Sequence, residues 1–144
     1  MRFGATHAYS SIEEATEAVR DLTEGTMCER VVLAPGVVEG TMVQPAMDLT
    51  SKGGTMVVTG LAPAMANDVQ LNLMMLSMGN KEIKGTIFGS LNPRDEIPRL
   101  LSMYRNGILM LDELVTRRYA LDEVNQGYAD MMDGKNVRGV LTFD

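Results

Sequence analysis

The sequence predicts an α/β fold built on a parallel sheet, and three observations carry that prediction. β-prone runs alternate with amphipathic helical runs along the chain. Thr55-Met56-Val57-Val58-Thr59 is apolar nearly throughout and stops at Gly60, the pattern of a strand covered on both faces. Nothing repeats at a fixed period and no low-complexity linker divides the chain. Parallel strands joined through helices then require right-handed crossovers.

The elements follow in order. Thr6 to Tyr9 is a short β-prone piece. Ser10 and Ser11 precede Glu13 and Glu14 at capping-box spacing, and Ala15, Ala18, Val19 and Leu22 follow at helical intervals as far as Gly25. Glu29 to Ala34 is a β-branched run ending at Pro35-Gly36. A helix is expected from Val38 toward Lys52, bent at Pro45 because proline lacks an N–H, and closed by Gly53-Gly54. After the strand Thr55 to Gly60 come a short apolar helix from Leu71 to Met78 and a strand from Glu82 to Phe88. Asn92-Pro93 opens a helix from Arg94 to Asn106, with Ile97, Leu100, Leu101 and Tyr104 on one face. The tail adds a strand at Val115 to Tyr119, a helix at Leu121 to Met132 and a last strand at Arg138 to Phe143.

Composition narrows the function classes. Asp and Glu number 19 against 13 Lys and Arg, so the net charge of −6 gives no general attraction for nucleic acid or anionic lipid. No apolar stretch approaches the roughly 20 residues of a membrane span. Cys28 is the lone cysteine and cannot close an intramolecular disulfide. The opening Met1-Arg2-Phe3-Gly4-Ala5 lacks the apolar run of a signal peptide, so a soluble protein of the reducing cytoplasm is expected.

The residues alone do not reveal a chemistry. The chain has no G-x-G-x-x-G, no Walker loop, no Cys/His cluster and no nucleophile elbow. His7 has no second ligand spaced to share a metal, and Cys28 beside Glu29 lacks the electropositive surroundings of a reactive thiol. Met56, Met74, Met75, Met103, Met131 and Met132 fall within apolar patterns and read as core filler, with Met74 to Met78 set apart as a candidate substrate-pocket or dimer contact. Arg117-Arg118 reads as a solvated pair, Arg138 as a strand arginine, and Gly60 and Gly89 as strand ends.

Particular segments add more. Lys84-Gly85-Thr86-Ile87-Phe88-Gly89-Ser90, Asp95-Glu96-Ile97-Pro98-Arg99-Leu100 and Asn136-Val137-Arg138-Gly139-Val140-Leu141-Thr142-Phe143 resemble the closing segments of zinc-type, medium-chain alcohol dehydrogenases. Gly4-Ala5-Thr6 and Val57-Val58-Thr59-Gly60 fall in the order that family requires, so the resemblance covers essentially the whole chain. Asn92-Pro93-Arg94, Asp112 to Arg117 and Asn125 to Asp130 are most similar to the actinobacterial nicotinoprotein (NDMA-dependent) branch, which holds NAD tightly and passes electrons to a carrier or dye.

The resemblance implies the C-terminal half of a Rossmann-type cofactor domain over residues 1–88 and, over 89–144, a segment that returns to the catalytic domain. Thr59, Gly60 and Leu61 would lie beside the nicotinamide at a strand C-terminus, where open α/β sheets bind ligands. Backbone groups of Thr86 and Phe88 would hold its carboxamide, and Arg138 would reach the cofactor pyrophosphate. The strand at 82–88 would pair with its two-fold mate to make a homo-oligomer. Family strands lettered by chain order lie as C, B, A, D, E, F; this chain would supply C at Thr6 to Tyr9 and D, E, F at Glu29, Thr55 and Glu82, without the two central strands.

The glycine-rich phosphate turn, the acidic ribose contact that separates NAD from NADP, and all zinc ligands would lie upstream of Met1, leaving neither catalytic nor metal-binding residues in this chain. Family chains run into Phe-Gly-Ala-Thr from a helix, so Met1 resembles an internal position rather than a start. The expectation is a piece of an NAD- and zinc-dependent enzyme acting on an alcohol or aldehyde, inactive by itself, the isolated chain being poorly stable, oligomeric through swapped edges, or derived from a longer protein. The alternatives are a non-catalytic nucleotide-binding or subunit-interaction remnant and a zinc-free quinone or enoyl reductase relative.

Overall fold

In the computed structural model, which describes residues 3–143, the Ser11 side chain accepts a hydrogen bond from the Glu14 N–H at 3.2 Å and caps α1 (Ile12–Leu22). Glu14 reaches back past the cap, where its carboxylate accepts from the Ser10 N–H at 3.1 Å and the Ser10 hydroxyl at 2.8 Å. Those two bonds hold its carboxyl below the usual carboxylate range. The predicted capping box is therefore made, with the return bond one residue earlier than usual.

The chain divides into two units, one ending at Leu91 and the other beginning at Asn92. In the first, β1 (Cys28–Leu33), β2 (Thr50–Val58) and β3 (Glu82–Gly85) form a parallel sheet in the order β1-β2-β3. This is the succession expected for strands D, E and F. Met56, opposite Val31 on one side and Ile83 on the other, is completely buried. The helix α2 (Val43–Leu49) lays Val43, Ala46 and Met47 over it, and Val31, Leu33, Val58, Leu71 and Leu76 pack around that cluster. The other face is barer: Val57 is half-buried and Val32 is 61% exposed, so β2 is not covered on both faces as its apolar run predicts.

Several expectations are corrected by the structure. Thr6 to Tyr9 forms no strand; the His7 and Tyr9 rings stack, with centroids 6.3 Å apart. Among the described residues no strand lies alongside to pair with it, and a lone strand has no ladder to stabilise it. The helix expected to reach Lys52 ends at Leu49, after a 3-10 turn at Gly40–Met42. Pro45 does not bend it, because it lies in the first turn, where its missing N–H has no intrahelical acceptor. Gly53-Gly54 makes an excursion inside β2 instead of stopping a helix: Cys28 pairs with Thr50, and the register resumes only at Arg30 opposite Thr55. Gly53 supplies the positive φ of +70° that this detour requires.

A further correction concerns the methionines. Met56 is core, but Met74, Met75, Met131 and Met132 are between 48% and 82% exposed, and Met103 is half-buried. The short helix α3 (Leu73–Met78) turns mainly Leu76 inward, so Met74, Met75 and Met78 lie outside the core. The strand expected to reach Phe88 stops at Gly85 because Phe88, Gly89 and Ser90 all adopt positive φ and turn the chain away from the ladder.

In the second unit, Asn92 caps α4 (Pro93–Arg105), its side chain accepting from the Arg94 N–H at 3.2 Å with Pro93 in the first helical position. The parallel pair β4 (Val115–Ala120) and β5 (Arg138–Thr142) is joined through α5 (Val124–Met132), a β-α-β arrangement matching the predicted order of the tail. Among its described residues the buried side chains are Tyr119 and Asp130.

Candidate functional site

Because β1, β2 and β3 run parallel, their C-termini at Leu33, Val58 and Gly85 lie on one edge of the sheet. Thr59 is tied there by its N–H (3.0 Å) and its hydroxyl (3.2 Å), both donating to the Leu33 carbonyl. The Val38 N–H donates to the Leu61 carbonyl at 3.0 Å, and the Thr86 N–H to that of Val58 at 3.2 Å. Gly60 lets these loops close: a Cβ there would collide with the Pro35 carbonyl oxygen and stand 2.7 Å from Cγ2 of Val38. The structure thus brings Thr59, Gly60, Leu61, Thr86 and Phe88 to one sheet edge.

The chain leaves that edge through the turn at Phe88, Gly89 and Ser90, with φ of 49°, 68° and 58°. Two of these are not glycine, and left-handed backbone costs each roughly 1–2 kcal/mol. The Ser90 N–H donates to the Ile87 carbonyl, and the Thr86 and Ser90 hydroxyls bond each other, both at 2.8 Å. Among the described residues, neither the Thr86 carbonyl nor the Phe88 N–H makes a hydrogen bond. Among its unbonded backbone groups the edge thus has an acceptor and a donor two residues apart, beside the exposed apolar side chains of Leu61, Ile87 and Phe88. A flat, amide-bearing group has the complementary donor and acceptor.

Arg138, the remaining predicted contact, belongs to the second unit, exposed at the start of β5. It borders a cleft of about 300 Å³ lined also by Tyr119, Gly127, Tyr128 and Asn136. Beneath lies a constellation that reading by segment missed. The buried Asp130 carboxylate accepts from the Gln126 amide at 2.9 Å, from the Tyr119 hydroxyl at 2.9 Å and from the Arg117 guanidinium, with the Lys135 ammonium 3.9 Å away. Gln126 first, then Tyr119 and Arg117, hold its carboxyl below the usual range against the opposing push of burial. Arg117 is thus half of an ion pair, not merely a solvated neighbour of Arg118. The signal was present as Arg117 and Tyr119 two apart on a strand and Gln126 and Asp130 four apart on a helix, spacings that share a face.

No group of three or more His, Cys, Asp or Glu among the described residues is placed to hold a metal ion. His7 is exposed beside the Thr6 hydroxyl, and Cys28 is a half-buried free thiol. Zinc needs at least three protein ligands, so these residues do not fit either a catalytic or a structural zinc. No helix among the described residues is long and apolar enough to cross a membrane.

The sequence pattern of the zinc-binding dehydrogenase family matches residues 1–106. The chain belongs to that family. It is 44% identical over 143 residues to alcohol dehydrogenase B of Mycobacterium tuberculosis, covering 99% of this chain and 38% of the relative. It is 46% identical over 141 residues to an NDMA-dependent alcohol dehydrogenase of Amycolatopsis methanolica, covering 98% and 38%. The fold superposes on the crystal structure of benzyl alcohol dehydrogenase from Acinetobacter calcoaceticus with a TM-score of 0.84 at 26% identity, covering 98% of this chain and 38% of that one. An alcohol dehydrogenase zinc-binding domain protein from Burkholderia ambifaria gives the same TM-score at 29% identity, with 98% and 37% covered. The chain therefore spans about 38% of the length of the curated relatives it matches.

Proposed function

We propose that this chain is the nicotinamide-orienting part of an NAD-dependent alcohol dehydrogenase that interconverts an alcohol and an aldehyde. The observation that carries the reading is the pair of backbone groups at the sheet edge, the Thr86 carbonyl and the Phe88 N–H. The carbonyl accepts from the carboxamide NH₂ and the N–H donates to the carboxamide oxygen, so the ring presents a single face to the substrate. Thr59, Gly60 and Leu61 form the adjoining wall, the exposed Leu61 side chain excluding water from the ring. The bound nicotinamide supplies the hydride chemistry, and the chain supplies orientation.

Arg138 is proposed as a contact to the cofactor pyrophosphate, in keeping with its exposed place at the start of β5. Similarity to an NDMA-dependent relative supports a nicotinoprotein, in which the cofactor stays bound between turnovers. Among the described residues β3 pairs with β2 on one side only and all four of its residues are exposed, which supports the edge as the contact between two copies. Metal ligands are assigned to no residue of this chain.

Titration with NADH, followed by nicotinamide fluorescence, tests the reading. Saturable binding that Arg138→Ala weakens about tenfold to a hundredfold is expected, the equivalent of one charge-assisted bond. Binding insensitive to Arg138→Ala would remove that residue from the cofactor contacts. The absence of any binding would leave this chain a subunit-contact piece.

A further inference from the structure

The turn that launches β5 is tied down residue by residue. The Lys135 N–H donates to the Asp130 carbonyl at 2.8 Å, and its ammonium pairs with Asp133 at 2.8 Å. The Asn136 amide donates to the Tyr119 hydroxyl at 2.9 Å, which in turn donates to Asp130 at 2.9 Å. The Val137 N–H donates to the Thr116 hydroxyl at 3.0 Å. The next residue is Arg138. On its far side, a Cβ on Gly139 would lie 2.8 Å from Cε2 of Tyr119 and 3.2 Å from Nδ2 of Asn136, so the β5 backbone rests directly on the tyrosine ring.

We propose that the chain Asp130–Tyr119–Asn136 positions Arg138 for its anionic partner, by fixing both the turn before it and the strand after it. Arg138 has little else to aim it. Among the described residues its guanidinium bonds to the carbonyl of its own neighbour Val137, at 2.7 Å, so where the charge sits follows where the backbone is held. Tyr119 makes the two ends of this support one object: its hydroxyl joins Asp130 to Asn136, and its ring meets Gly139. Asp130 stays ionised near neutral pH, and a carboxylate accepting three hydrogen bonds keeps the hydroxyl in a fixed orientation. The inference rests on the reading of Arg138 as a cofactor contact and names the residues that make that contact effective.

The test is a set of double-mutant cycles on the full chain, read as NADH affinity together with amide exchange at Val137 and Arg138. Tyr119→Phe keeps the ring and removes the link, and Asn136→Ala removes the other end. Each is expected to weaken NADH binding about fivefold, the loss of one hydrogen bond's ordering, while Arg138 is present. In the Arg138→Ala background the same substitutions should change affinity less than about twofold, because residues acting through a common group are not additive. Faster exchange at the two amides should accompany the first result. Equal losses in both backgrounds would overturn the proposal in favour of a merely structural role. So would no loss from either substitution when Arg138→Ala alone is damaging, and that outcome leaves the cofactor reading standing. If Arg138→Ala itself has no effect, the reading of Arg138 as a cofactor contact falls and this inference with it; if the unaltered chain binds no NADH, the cofactor reading as a whole falls and takes both with it.

Discussion

The two units bury different things. The first is organised around an apolar side chain, Met56, covered by Val43, Ala46 and Met47. The second is organised around a carboxylate, Asp130, surrounded by Gln126, Tyr119 and Arg117. An apolar core tolerates small shifts because dispersion contacts are numerous and non-directional. A polar one has few bonds, each with a required direction, and fixes geometry more sharply than it stabilises. The difference suits what each unit is proposed to offer. Backbone groups at the sheet edge are aimed by the ladder and the tight turn that leaves it, whereas a long, exposed arginine side chain needs an aimed backbone.

The comparison can be broken most forcefully at Met56. Met56→Ala should destabilise the first unit by about 2–5 kcal/mol through the cavity it leaves, while hydrogen exchange in the second unit is unchanged. Urea unfolding followed by exchange at single residues checks this, and equal loss in both units would show that they unfold as one. Gly60→Ala comes next, costing about 1–3 kcal/mol because the methyl group would meet the Pro35 carbonyl. It should also disturb the amide signals of Val38 and Leu61 before any in the second unit. Tyr119→Phe should cost about 1 kcal/mol, in the second unit alone.

The smallest effect at neutral pH is the one most particular to the second unit. The Asp130 carboxyl is held below its ordinary value in the folded chain, so its stabilisation is fully present above about pH 4, the range of an unfolded aspartate. That stabilisation is lost as pH falls through the lower folded value. An acid titration by amide exchange should show protection of β4 and β5 declining below about pH 4, and Asp130→Asn should abolish that particular step. In the first unit the depressed carboxyls, Glu14 and Glu82, are exposed, so only shallow acid dependence is expected there.

How much was legible in the sequence depended on whether the signal was local. The caps at Ser11 and Asn92 are made by residues two or three positions away, so the starts of α1 and α4 could be read directly. Gly53-Gly54 was misread because a glycine pair serves equally as a helix stop or as a detour in a strand, and only the pairing with β1 decides between them. The exposed methionines were misread because an apolar pattern reports which residues share a face and is silent on whether that face is covered. At the candidate site, Gly60 was legible as a strand end, but its close approach to Pro35 and Val38 was not. Neither was Asp130, whose partners come from β4, α5 and the turn after it.

By itself the sequence determined the alternation of strands and helices, their order, and the family to which the chain belongs. Each of these is encoded in periodicity, caps and short motifs that act over a few residues. Tertiary structure alone decided that Thr6 to Tyr9 would not be a strand, that one face of β2 would be barer than the other, and that a buried aspartate would stand behind Arg138. Those outcomes depend on which backbone groups find partners and which side chains find cover, and residues far apart in the chain settle both.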